Sequence, residues 1–173
     1  MRVFIAVLFL IFSFQSWTKA DDISDFEIEG MSIGDSMLII MSEKEISEAK
    51  DFMYKSDKWA SASKVLQNSL FDGIQMEFKS NDPKFIVHSF NAKILYNDRD
   101  IKECYVQEKK FVEDLKELFE DSSTYKDYGI TAHEGDSSGK SKGSWHAFFL
   151  DDESGHIFVS VWIGLRKWVF MTV

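Results

Sequence analysis

Three apolar runs near the C-terminus constrain this chain most. SWHAFFL (144–150), HIFVSVWI (156–163) and RKWVFMTV (166–173) follow one another, separated only by DDESG and by Gly164-Leu165. Each run has the length of a strand and is rich in aromatic and β-branched residues, which suit a pleated sheet. Connections this short join antiparallel neighbours, so the pattern predicts a three-stranded meander. Val173 falls inside the last run, which fits either a paired central strand or a longer natural chain. The runs carry Trp145, Phe148, Phe149, Phe158, Trp162, Trp168 and Phe170. In alternating strands about half of these face the core, and the others can line a groove or a partner surface.

The opposite end reads as an address. MRVFIAVLFLIFSFQSWTKA offers a basic Arg2, an apolar stretch from Val3 to Phe14 broken only by Ser13, and small residues at Thr18 and Ala20. That is the pattern of a secretory signal peptide over residues 1–20, cleaved between Ala20 and Asp21. Its core of about 12 residues is short of the roughly 20 that cross a bilayer as a helix. The expected product is periplasmic or secreted, with no transmembrane helix after signal removal.

Residues 21–173 are then one domain, long enough to bury a core without staples. The whole chain carries 20 basic and 29 acidic side chains, a net charge of −9, and Arg2 and Lys19 leave with the leader. Nucleic acid and anionic membranes are bound by basic patches, so neither is an expected partner. The expected partner is an unidentified protein or small ligand; a basic partner or a cation is compatible with the charge. Cys104 is the only cysteine, so no internal disulfide can form. It fits a small buried hydrophobe on a helix face.

Phe26 and Ile28 alternate with Asp25, Glu27 and Glu29, predicting a short edge strand or extended arm that Gly30 ends. Ser32 with Asp35, and Ser42 with Glu45, have helix-start spacing. With the apolar positions Met37, Leu38, Ile40, Met41, Ile46, Ala49, Phe52 and Met53 they predict helices over 33–41 and 43–53. Residues 55–72 fit either a strand or a third helix. Ile74, Met76 and Phe78 alternate with polar neighbours as a half-buried strand. SNDP (80–83) is a turn, and 84–96 is the second strand of a hairpin, bulged near Asn91. Asp100 and Glu103 cap a helix over about 101–120, whose apolar positions Ile101, Cys104, Tyr105, Val112, Leu115, Leu118 and Phe119 oppose Glu108, Lys109, Glu113, Lys116 and Glu117. Residues 121–143 are polar and Gly/Ser-rich and predict a loop. No internal repeat is visible. The fold class that follows is α+β: an N-terminal helix pair and one long amphipathic helix packed on an antiparallel sheet.

Motifs add little chemistry. EGDSSGKS (134–141) resembles a phosphate-binding loop, but only three residues separate Gly135 from Gly139, Glu134 replaces the first glycine, and a strand follows instead of a helix. Ile33-Gly34-Asp35-Ser36 resembles the nucleophile block of GDS-type serine esterases. That family carries D-x-x-H near its C-terminus; here Asp152 and His156 are one residue too far apart, and helix capping accounts for Ser36. Asn97, Asp98, Asp100 and Glu103 form one acidic group, and Asp151, Asp152, Glu153 and His156 another. Neither has calcium-loop spacing. His88 and His146 sit in apolar strands without the paired spacing of a zinc site. No catalytic, cofactor-binding or metal residue is assigned, and no cofactor is expected.

The runs WTKADDISDFEIEGMSIGDSML and YNDRDIKECYVQEKKFVEDLKELF resemble a group of small exported proteins of unknown function from marine alphaproteobacteria. Gly30-Met31-Ser32, ahead of a hairpin, resembles the small outer-membrane lipoproteins of the barrel-assembly machinery and the β-lactamase inhibitor proteins. Those begin a helical pair packed on an antiparallel sheet with G-M-[ST]; the lipoprotein cysteine is absent here, and so is the G-x-P that usually follows the motif. The resemblance implies a fold and no activity. The function expected is that of an exported, non-enzymatic binding or envelope interaction module. The alternatives are an exported hydrolase of unfamiliar type using Ser36, or an acidic cation-binding protein.

Overall fold

The computed structural model describes residues 22–51, 57–96, 101–132, 140–151, 155–163 and 167–172. Residues 1–20, the Ala20–Asp21 junction, Phe52 and Met53 of the expected second helix, Asn97, Asp98, Asp100, the Glu134–Gly139 stretch, Asp152 and Glu153 lie outside the described residues. The strands are β1 Lys50–Asp51, β2 Trp59–Val65, β3 Gly73–Lys79, β4 Val87–Tyr96, β5 Ser123–Ala132, β6 Lys142–Leu150, β7 His156–Ile163 and β8 Lys167–Thr172. They form one eight-stranded sheet in the order β1-β2-β3-β4-β8-β7-β6-β5, with every neighbouring pair antiparallel. The described α-helices are α1 Glu43–Ala49 and α2 Ile101–Leu118. The α+β class built on an N-terminal helix pair is therefore corrected: the protein is mainly β.

The C-terminal runs pair as their spacing requires, Phe148 facing Ile157 and Val161 facing Val169. β8 is a central strand, held by β7 on one side and by β4 on the other. The β3–β4 hairpin forms with Met76 opposite Phe90, and its register shifts at Glu77/Phe78, not at Asn91. Together the strands show a plan that the sequence hides. A helix followed by a four-stranded meander occurs twice, as α1 with β1–β4 and α2 with β5–β8, and the halves meet tail to tail through β4 and β8.

The N-terminal helices fail for a backbone reason. Gly34 and Met37 donate their N–H groups to the carbonyls of Val87 and Phe85, and Val87 donates to Asp35. The Gly34 N–H would be free in a first helical turn, but the Met37 N–H, which would close the first i to i−4 bond of a helix over 33–41, is spent across the chain. A 3-10 turn at Met37–Ile39 remains, followed by a single i to i−4 bond from the Met41 N–H to the Met37 carbonyl, and α1 stops at Ala49 because Lys50 pairs with Ala62 of β2. The long ambiguous stretch resolves as strand β2 and a loop. The expected loop at 121–143 is corrected too, since β5 supplies the partner that the outer edge of β6 needs. β5 is an edge strand exposed over most of its length, so it lacks the burial alternation that marks a strand in sequence.

Pleating sorts the side chains. Ile74, Met76, Phe78, Phe90, Phe148 and Val159 lie on one face and are buried. α1 docks there against β2, and α2 against β7 and β8. Trp145, Phe149, Phe158 and Trp162 take the opposite face and are half-buried. α1 has seven residues, too few to hold a helix unaided. Its start is a reciprocal cap: Ser42 N–H donates to Glu45 Oε2 at 2.7 Å, and Glu45 N–H to Ser42 Oγ at 3.3 Å. Ser42→Ala is expected to cost about 1 kcal/mol, read as a lower urea midpoint at unchanged slope. An unmoved midpoint would show the cap to be idle.

Candidate functional site

A cleft opens where the N-terminal arm crosses α2. Phe26, Glu27, Ile28 and Glu29 form one wall; Phe111, Asp114, Leu115 and Leu118 of α2 form the other; Phe71 and Met171 of β8 complete it, enclosing about 230 Å³. The α2 wall follows from helical spacing, since positions three and four apart share a face. The arm is turned back by a two-residue hairpin. Ile28 and Met31 pair as a bridge, and between them Glu29 and Gly30 have φ values of 54° and 79°, as a type I′ turn demands. Glycine adopts this freely, whereas glutamate does so at a cost. Glu29 is held in place by Ser69, whose hydroxyl donates to Oε1 at 2.6 Å.

The chemistry of the cleft is mixed. Its interior is apolar, with Phe71 stacked on Phe111 at 5.7 Å and 13° and Phe26 tilted against Phe119 at 6.1 Å. Its rim carries Glu27, Glu29 and Asp114, all exposed. Among the described residues no lysine, arginine or histidine forms an ion pair with these three. Apolar walls of low dielectric concentrate the field of such carboxylates on whatever enters.

A second group of polar side chains lies further along α2. Glu108 is 5% exposed. Its Oε1 accepts the hydroxyl of Ser144 on β6, and His146 Nε2 stands 3.5 Å away. Tyr125 Oη of β5 meets His146 Nδ1 at 2.8 Å, and Asp127 Oδ1 lies 3.7 Å from the same nitrogen. Lys116 Nζ sits 3.7 Å above the Tyr125 ring. Burial pushes the Glu108 carboxyl above the usual carboxylate range; the Ser144 hydroxyl and His146 pull it back, and Asp127 adds to the rise. Burial likewise raises the Tyr125 phenol, helped by Asp127 and Glu108. The serine and the histidine both address the carboxylate and not each other, so the group is no nucleophile–base pair.

The residues singled out in the sequence scatter. Ser36 Oγ donates to the Lys84 carbonyl at 2.6 Å and accepts from Leu38 N–H at 3.3 Å; among the described residues no histidine bonds to it. His88 is exposed and meets Trp59 edge-on at 5.1 Å. His156 is exposed beside Phe158. Glu103 and Asp151 are exposed, and Cys104 is buried. No three of the described His, Cys, Asp or Glu side chains are placed to hold one metal ion.

The helical reading gives Glu108 and Phe111 no place in the core, yet both are buried. The signal was present: Glu108 falls four residues after Cys104 and four before Val112, in the middle of the inward stripe. Tyr125 and Asp127 carry no signal in sequence because the exposed strand β5 that aligns them has the pattern of a loop, and Ser144, on the predicted strand β6, gains its partner Glu108 only through tertiary packing. Comparison with protein-family models, curated proteins and solved structures finds no match for this chain.

Proposed function

We propose that this protein is an exported, non-enzymatic binding module, periplasmic or secreted, whose cleft takes an apolar stretch of a partner protein flanked by lysine or arginine. The carrying observation is the pairing of an apolar interior with three rim carboxylates that no described cation neutralises. Size narrows the occupant. Pockets for whole cofactors span about 300–1,000 Å³, and the cleft's volume of about 230 Å³ suits side chains projecting from a partner. Charge sets the sign: a basic segment is steered in and an acidic one repelled. Ser36, His88 and His146 do not line the cleft, and among the described residues no histidine bonds to Ser36, which argues against the hydrolase alternative. The leader over residues 1–20 supports the compartment. No described helix is long and apolar enough to cross a membrane.

Calorimetric titration with two short peptides, one of Leu-Lys repeats and one of Leu-Glu repeats, tests the proposal. The Leu-Lys peptide is expected to bind, with affinity falling as salt rises. The double variant Glu27→Gln, Asp114→Asn should weaken it about threefold to tenfold, the range for exposed charge pairs. Equal binding of both peptides, or full affinity in the variant, would refute a basic partner.

A further inference from the structure

We propose that the Glu108–Ser144–His146–Tyr125 cluster is a proton-operated latch that sets how α2 seats on the sheet and, through α2, how wide the cleft stands. The inference rests on the cleft being the binding site. Its geometric basis is that one helix serves both places. Glu108 and the cleft residues Phe111 and Leu115 belong to the same buried stripe of α2, so a helix that lifts at Glu108 carries one wall of the cleft with it.

Among the described residues, the polar groups facing Glu108 come from three elements. α2 itself brings Tyr105, β5 brings Tyr125 and Asp127, and β6 brings Ser144 and His146. β7 and β8 pack on α2 and their described side chains on that face are Ile157, Val159, Val161 and Met171, all apolar and buried. When Tyr125 donates to His146 Nδ1, the other ring nitrogen carries its hydrogen toward Glu108, and an ionised Glu108 leaves a net negative charge buried under α2. Adding one proton cancels that charge. Removing it favours a helix lifted far enough for water to reach the carboxylate.

The sign follows from linkage. A carboxyl whose folded proton affinity is raised by burial contributes stability that is complete below the ordinary carboxylate range. That stability is lost as pH rises through the group's own higher value. Acid therefore seats α2 and narrows the cleft, and higher pH loosens both.

Hydrogen exchange of the α2 amides, corrected for intrinsic rates, tests this on the free protein. Within the window the opening equilibrium should rise by up to about tenfold per pH unit, the limit for one proton. Glu108→Gln should abolish the slope. A flat wild-type profile, or an unchanged slope in the variant, overturns the latch. If Glu108→Gln does not fold, Ser144→Ala serves: losing that hydroxyl raises Glu108 further, so the window must move to higher pH, and an unmoved window is equally fatal. The Leu-Lys peptide separates the two ideas. Its affinity should rise with pH through the same window in the wild type and not in Glu108→Gln; matching profiles in both would cut the link from latch to cleft. Failure of the peptide to bind at any pH, with exchange still tracking Glu108, would remove the cleft and leave the latch standing.

Discussion

Phe78→Ala is expected to cost the fold about 3–5 kcal/mol, the range for a buried phenylalanine cut back in a core that cannot collapse. Phe78 has no exposed surface. Its ring stands edge-on to Phe85 at 5.6 Å and has the Lys50 ammonium 5.7 Å from its centroid. On either side it is paired in the sheet, with Ala60 of β2 and with Val87 of β4. Those neighbours are fixed by backbone ladders, so they cannot move in to fill the void, and the cavity cost adds to the lost transfer energy. A domain of this size holds about 5–15 kcal/mol in all, so the variant should fall close to the folding threshold. Urea titration reads the effect. Phe78→Leu, which keeps most of the volume, should cost under about 1.5 kcal/mol. A loss below about 1 kcal/mol for the alanine variant would mean that the space around Phe78 is looser than its burial indicates.

The parts of the fold legible in sequence are those whose period survives burial. Ile74, Met76 and Phe78 alternate because β3 has one face in the core. The runs of β6 and β7 are apolar throughout because Trp145, Phe149, Phe158 and Trp162 also cover their second face. α2 shows its stripe because its other side meets water. Where a neighbour decides the structure, the period misleads. Met37, Leu38, Ile40 and Met41 have helical spacing, but the backbone of 34–37 is bonded to 85–87, a partner some fifty residues away that no local window contains. β5 is exposed on both faces past Lys126 and has nothing to alternate. The charge of Glu108 suggests a solvent-facing residue, whereas its position in the stripe marks it as buried. The acidic character of the cleft was visible in Glu27 and Glu29, but the hairpin that sets them opposite Asp114 is a tertiary fact. The two-fold plan of the sheet leaves no trace in sequence because a helix and a meander can be written in many residues, whereas topology depends on their order alone.

Gly143→Ala is the second large effect expected, and it concerns the face away from α2. A Cβ at Gly143 would stand 2.7 Å from the Val161 carbonyl oxygen and within 2.8 and 2.9 Å of the Trp162 ring. Gly143 pairs with Trp162 across β6 and β7, and the indole lies over the glycine while meeting Trp145 edge-on at 4.9 Å. The ring can swing aside, but the carbonyl belongs to the ladder and cannot. β6 and β7 must therefore part locally, at about 1–3 kcal/mol for such overpacking. The cost should survive in a Trp162→Ala background, because removing the ring leaves the carbonyl in place; disappearance of the penalty there would assign it to the indole. Tryptophan fluorescence should shift in Gly143→Ala itself as the Trp145–Trp162 contact opens. Ser144 is the next residue and faces the other way, onto Glu108. A strand displaced at Gly143 loosens that hydrogen bond, so the same substitution should move the pH window of α2 exchange upward, in the direction set by Ser144→Ala. Lost stability with an unmoved window would mean that β6 absorbs the strain within one residue and that its two faces act independently.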